Sequence, residues 1–423
     1  MSETKEPLTL LAVAPLPFYR NGVKTFHFGG SIFYADLLPS LARQGHTVQV
    51  IAETPATNSG ETRTGLDWGF PRLEVDLEVE WFALEYRSGA TPPPATYHET
   101  VRRQISFVFD RFVKQRRPDV VIIGRETVAG PVLSLCQEYH LPSLLIVHGS
   151  PTWSLLHSTY PEAAKQHLVD SFHQVDGIVT IAQHLAEILR KLGIARVYLI
   201  PNIADPVRFR PEPKDRHLLQ NLGITPYQIV VGYFSTLKPR KRPFDILASA
   251  ERVLKAHSQM VYVIGGEGPC REEMEELGRQ KGIADKFRYV GEIDHQQMPQ
   301  YLNLSDIVVL PSEREGAPLV YREAQACGRV LLASDIPAAR EAIVDEETGL
   351  LFRMGDSQDL AAKTLAVVEN PLWRQRIGDK ARAAVAALTL ERWTQTYGEV
   401  LRQVVARRTG VPQQKEPKLT LPA

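Results

Sequence analysis

Pro311-Ser312-Glu313-Arg314-Glu315-Gly316-Ala317-Pro318-Leu319-Val320-Tyr321-Arg322-Glu323-Ala324-Gln325-Ala326-Cys327-Gly328 is the stretch on which the reading of this chain turns. It follows the apolar run Ile307 to Leu310, which reads as a strand, and continues as a helix starting near Pro318. Proline is favoured in a first helical turn, and Gly328 suits the position just past the end. Glu315 and Gly316 therefore fall in an acidic turn, and Glu323 lies about one and a half turns into the helix. Unpaired N–H groups around Leu319 and Val320 would point out of the helix start, where an anion binds readily. A carboxylate on each side of such a site suits a phosphate flanked by hydroxylated groups, because carboxylates accept hydrogen bonds from sugar hydroxyls. A nucleotide sugar has that chemistry. The plain alternative is a pair of solvated charges near a helix end, where the macrodipole favours glutamate.

On either side of this stretch the chain alternates buried-strand runs with helix-sized segments. Leu8 to Ala14, Val48 to Ala52, Val120 to Ile123, Ser143 to Val147, Gly177 to Ile181 and Val197 to Ile200 form one series. Ile229 to Gly232, Val261 to Ile264, Phe287 to Val290, Ile307 to Leu310 and Val330 to Ala333 form a second. Such series predict two parallel, doubly wound α/β sheets. Residues 202 to 226, rich in Pro, Arg and Asp, read as the connection. The expected division is 1–205, 206–390, and a late helix from Glu391 with a basic, disordered tail over 391–423.

Composition agrees with this scale. The chain has 423 residues, which suits two α/β domains. Its formal net charge is zero, so no global field recruits nucleic acid or anionic lipid. Cys136, Cys270 and Cys327 form neither a metal-ligand spacing nor a disulfide framework, and a reducing cytoplasm is the expected compartment. The polar N-terminus does not read as a secretory signal, and no run reaches membrane-spanning length. The helix from Arg102 to Arg117 interleaves Ile105, Phe107, Val108 and Phe112 with basic residues. It reads as a packed helix with a solvated basic face; weak peripheral contact with the inner face of a membrane is the alternative. No Asp-x-Asp metal motif stands at a strand end, and no nucleophile–base–orienter set is evident.

Four further segments carry chemistry. Gly232-Tyr-Phe-Ser-Thr-Leu-Lys-Pro-Arg-Lys-Arg-Pro sets Lys238, Arg240, Lys241 and Arg242 in a loop after a strand, where cations can neutralise a diphosphate. Val263-Ile-Gly-Gly-Glu-Gly-Pro, with Gly266, and Val290-Gly291-Glu292-Ile293 are glycine-bearing strand ends, each also explicable as a plain turn. Phe28-Gly29-Gly30 permits close backbone approach to an anion. Ile146-Val147-His148-Gly149 ends a strand in a histidine, a residue type more often structural than catalytic when it stands alone.

Together these segments resemble the retaining family-four glycosyltransferases of the GT-B fold (glycosyl transferases group 1), over roughly residues 8 to 400. Glu315 and Glu323 match the E-x7-E signature, and Lys241 falls at the family's phosphate-binding lysine. Thr236 replaces that segment's arginine and Arg242 its second glycine, leaving Arg240 as the best substitute cation. The resemblance implies two Rossmann-like domains facing each other across a cleft, with the late helix crossing back to the first. It implies a metal-independent transfer that retains anomeric configuration and needs no cofactor, the nucleotide sugar being a co-substrate. Glu323 would hold the ribose, Glu315 the donor sugar, and Lys241 with the Leu319 and Val320 amides the leaving diphosphate. Gly266 and Gly291 would line the donor site, Gly29 and Gly30 would face the diphosphate, and His148 would be the active-site histidine. Asn202 and Asp205 read mainly as hinge residues. The acceptor, whether glycan, lipid or small molecule, is left open. A nucleotide-sugar epimerase on the same fold and a non-catalytic nucleotide-sugar-binding protein are the rival readings.

Overall fold

The computed structural model describes residues 6–16, 18–20, 23–26, 29–55, 78–84, 95–156 and 162–409. The chain forms two units, one taking in residues up to Pro201 together with the segment from Glu391, the other Asn202–Leu390.

The first unit is built on a seven-stranded sheet. Its chain begins with β1 (Thr9–Pro15), a small antiparallel pair β2 (Phe18–Arg20) and β3 (Val23–Phe26), then β4 (Thr47–Pro55) and β5 (Glu78–Leu84). After these come β6 (Val120–Ile123), β7 (Ser143–Val147), β8 (Gly177–Thr180) and β9 (Val197–Leu199). The order is β5-β4-β1-β6-β7-β8-β9, every described pairing parallel, with Leu10 beside both Val48 and Val120. The buried strand runs read from the sequence are all here. β5 is an addition: Glu-Val-Glu-Trp-Phe-Ala-Leu begins with alternating charge, which suits an edge strand paired to β4 alone and hides it from a search for apolar runs.

Crossover helices cover the sheet. In the helix Ala95–Gln115, Ile105, Val108 and Phe112 are buried, as a packed amphipathic helix requires, while Phe107 is exposed. The late helix Leu390–Thr409 contributes Trp393, Tyr397, Val400, Leu401 and Val404 to this unit's interior. Trp393 donates through Nε1 to the Pro201 carbonyl at 3.0 Å and meets Phe33 edge-on at 5.2 Å. The predicted disordered tail (410–423) and Phe28 lie outside the described residues. Among the described residues no helix is long and apolar enough to cross a membrane.

The second unit carries β10 (Val230–Phe234), β11 (Val261–Gly265), β12 (Phe287–Gly291), β13 (Ile307–Leu310), β14 (Val330–Ser334) and β15 (Leu350–Phe352). Their order is β12-β11-β10-β13-β14-β15, again parallel throughout. The order in which strands are added reverses between β10 and β13, so the loops leaving their carboxyl ends diverge there and open a crevice. The same reversal occurs in the first unit between β1 and β6. Both halves are Rossmann-like.

Candidate functional site

The β10–β13 crevice is where the basic loop and the acidic turn meet. β10 is followed by a short 3-10 turn, Pro239–Lys241, and β13 by the turn through Glu315. A backbone bond from the Glu313 N–H to the Arg240 carbonyl (2.9 Å) ties the two loops together. Lys241 Nζ donates to Glu315 Oε1, and Arg240 Nη1 stands 3.8 Å from Glu315 Oε2 while donating to the Arg314 carbonyl at 3.3 Å. Lys241 and the Glu315 side chain are buried; the Arg240 side chain is about a third exposed. Burial lowers the Lys241 pKa, the attraction of Glu315 opposes that shift, and Arg240 adds to it. Lys238 and Thr236 are exposed.

Arg242 takes up a left-handed conformation (φ 50°, ψ 46°), one that favours glycine. Its guanidinium is fixed to Asp245 by two hydrogen bonds of 2.8 and 3.0 Å, at the start of the helix Phe244–Ala256. The residue that departs from the expected glycine is thus turned away from Lys241's role and serves the next helix.

The helix after the acidic turn runs Leu319–Ala326, one residue later than the sequence placed it, with Pro318 extended at its cap. No side chain caps this start. Asn202 reaches the preceding turn, its Nδ2 donating to the Ala317 carbonyl at 2.7 Å, so it is more than a hinge. The helix closes as the sequence predicts: Gly328 has φ 66°, and Gly328 and Arg329 N–H groups bond back to Gln325 and Ala324 at 2.9 Å each.

Glu323 is buried in this helix. Its Oε1 accepts from His295 Nε2 at 2.6 Å, and no other group among the described residues donates to the carboxylate. A buried carboxylate with one donor is short of partners, and hydroxyls of a ligand would supply them. Two further buried oxygens here, Ser312 Oγ and Tyr321 Oη, have no hydrogen-bond partner in the structure. Burial, then the Glu315 charge, raises the Tyr321 phenol well above its usual range.

Gly266 has φ 131°, and a Cβ there would collide with the Ser235 carbonyl oxygen. Glycine is required at this point by the packing of the loop after β11 on the loop after β10. Gly291 (φ 71°) accepts the Gly266 N–H at 2.6 Å, so the two glycines brace one another. Their backbone placement is shared by both readings made from the sequence, turn and ligand loop.

In the first unit, Gly29 and Gly30 open the helix Gly29–Arg43, and Tyr34 lies one turn in. Tyr34 Oη donates to the Gly124 carbonyl (2.9 Å) and is 2.9 Å from His148 Nε2. The hydroxyl proton is committed to the carbonyl, so His148 must carry its proton on Nε2 and keep a lone pair on Nδ1. Burial, and secondarily Arg125, lower the His148 pKa to about 4. The imidazole is therefore neutral at pH 7, with Nδ1 free to accept a hydrogen bond. Glu126, also buried, takes the Gly149 N–H on Oε1 at 3.0 Å and holds the turn that carries His148; burial raises its pKa.

Sequence reasoning missed His295, Glu126 and Tyr34. Each acts through a partner remote in sequence, and no local spacing announces it.

Comparison with known proteins agrees with this layout. Residues 216–384 match the family model described as glycosyl transferases group 1, and residues 29–208 that of glycosyltransferase family 4. The chain is 28% identical over 406 residues to a glycogen synthase of Mycobacterium tuberculosis, covering 91% of this chain and 92% of that one. Sucrose-phosphate synthase of Thermosynechococcus elongatus superposes with a TM-score of 0.77 at 20% identity, covering 95% of this chain and all of that one. Anabaena HepE in complex with UDP-glucose superposes with a TM-score of 0.75 at 17% identity, covering 94% and 100%. With its two Rossmann-like halves each matched by one of the family's models, the chain belongs to the family-four glycosyltransferases of the GT-B fold.

Proposed function

We propose that this glycosyltransferase moves a sugar from a nucleotide-sugar donor to a hydroxylated acceptor, with retention of configuration and without a metal ion. The observation that carries the reading is the convergence of Lys241, Arg240, Glu315 and the Leu319 helix start at the β10–β13 crevice, with Glu323 in that same helix. Glu323 takes the ribose hydroxyls and Glu315 the donor sugar. Lys241, Arg240 and the amides of Leu319 and Val320 receive the diphosphate, with Arg240 serving where Thr236 replaces a cation. As the glycosidic bond breaks, charge builds on the departing phosphate oxygen, and preorganised cations and amides act more strongly on that state than on the ground state. The positive charge required is thus available from side chains. Gly266 and Gly291 brace the loops that line the donor site.

Gly29 and Gly30 keep the role of donor-diphosphate residues, and the acceptor falls to the first unit with His148. Neutral His148, with Nδ1 unprotonated, is suited to orient an acceptor hydroxyl. The three free, buried thiols suit a reducing, cytoplasmic setting. The family match speaks for transfer in preference to epimerisation.

Thermal-shift screening against UDP, GDP, ADP and their common sugars, followed by mass analysis of acceptor libraries, tests the proposal. A shift with one nucleotide sugar and a mass gain of one glycosyl unit on an acceptor is the expected result. Donor turnover without any acceptor would favour the epimerase. Binding with no product of either kind would favour a non-catalytic binding protein.

A further inference from the structure

The Glu323 carboxylate is aimed by a residue that belongs to a different element. His295 stands in the loop between β12 and the helix Met298–Leu304, where Asp294 organises a tight turn: its carbonyl accepts the Gln297 and Met298 N–H groups and its Oδ1 the Gln296 N–H. From this turn the imidazole reaches Glu323 across 28 residues of sequence. Its side chain is only 13% exposed and that of Glu323 4%, so water is a poor substitute for either partner.

The ring packs against an aromatic. Phe209, fully buried, lies 5.5 Å from the imidazole centroid, and the Arg208 guanidinium lies 4.7 Å over the Phe209 ring. Arg208 Nη2 also comes within 3.4 Å of His295 Nε2. One ring nitrogen cannot both donate to Glu323 and accept from Arg208. The 2.6 Å contact to a carboxylate is the stronger of the two, so Nε2 carries the proton and points it at Oε1.

We propose that His295 is a positioning residue for the donor ribose: its Nε2–H clamps one oxygen of Glu323 and so presents the other to the nucleoside hydroxyls. The inference rests on the ribose role given to Glu323 above. A carboxylate otherwise free to rotate about its last torsion would lose much of its advantage in holding a hydroxyl pair.

The distinguishing quantity is the affinity ratio between a nucleoside diphosphate and its 2′,3′-dideoxy counterpart, measured by calorimetric titration with UDP, GDP and ADP and their dideoxy forms. Because each protein is its own reference, partial loss of fold does not disturb the ratio. Wild type should prefer the ribose form of the nucleotide it binds by about tenfold or more, the value of a hydrogen bond to a charged group. His295→Ala should collapse that preference to about threefold or less. His295→Gln places an N–H at the same distance along the side chain as Nε2 and should restore most of the preference. His295→Asn, one bond shorter, should not. A wild-type-sized ratio in His295→Ala, or equal ratios in the Gln and Asn variants, would overturn the positioning role while leaving Glu323 on the ribose. A wild-type protein that binds none of these nucleotides, or ribose and dideoxy forms equally, would remove the ribose assignment itself and His295's role with it.

Discussion

At the scale of single residues, the two glutamates separate cleanly by what they touch. Glu323 has one donor, so Glu323→Ala should cost nucleoside diphosphate affinity about 1.5–3 kcal/mol, roughly ten- to a hundredfold, with the fold retained. Calorimetric titration measures this directly. Glu315 is paired with buried Lys241 even without donor, and removing one member of such a pair costs about 3–5 kcal/mol. Glu315→Gln should therefore melt lower when free, keep its affinity for nucleoside diphosphate and so gain the same stabilisation as wild type on adding it, and turn over the sugar donor poorly. Parallel loss of diphosphate affinity and turnover would reverse the roles given to the two residues. His148 adds a pH dependence. Its folded pKa of about 4 lies below the ordinary 6.5, so between those values the unfolded chain takes up a proton that the folded chain refuses. The penalty is absent above that window and complete below it. His148→Gln should thus lose about 1–3 kcal/mol less stability than wild type between pH 7 and 4.5, as read from urea unfolding.

At the scale of elements, the loop after β10 makes a graded prediction. Lys241 and Arg240 lie beside Glu315 while Lys238 is exposed, so Lys241→Ala and Arg240→Ala should cut turnover severely and Lys238→Ala should cost little. Steady-state kinetics on the three separates a diphosphate grip from a solvated basic turn. Arg242 behaves differently, being bound to Asp245 in a left-handed conformation. Arg242→Ala loses the ion pair and keeps the strain; Arg242→Gly loses the pair and relieves the strain. The glycine variant should be more stable than the alanine variant by about 1 kcal/mol in thermal unfolding. These elements were legible in the sequence because their signals are local. Five strands of the second unit, β10 to β14, coincide with runs read from the sequence, and Pro318 and Gly328 bracket the Glu323 helix. β5 and the β2–β3 pair were not legible, since an edge strand or a short hairpin needs no apolar run. His295 was not legible for a related reason: β11 and β10 lie between β12 and β13 in the sheet, and only the packing of the folded unit brings the loop after β12 to the helix after β13.

At the scale of the whole molecule, the reading of two Rossmann-like halves rests on two sheets with the same order of first four strands, each reversing at its own crevice. The first half is completed by the late helix, whose Trp393, Tyr397, Val400, Leu401 and Val404 are buried. Each such side chain contributes about 1.5–3 kcal/mol by burial, so their sum rivals the whole stability of a domain. A chain ending at Thr389 should therefore leave the first unit open to limited proteolysis, while residues 202–389 resist cleavage and still bind nucleoside diphosphate. The same helix sets an order of events during synthesis. Residues 202–390 form a continuous stretch and can fold as soon as they leave the ribosome, yet the unit that contains the N-terminus must wait for Trp393 to Val404. The first half to be translated is the last to be finished. Until then its Phe33 and Val404-facing surface is a target for chaperones, and a premature stop codon just before the late helix would cost the first unit before it cost the second.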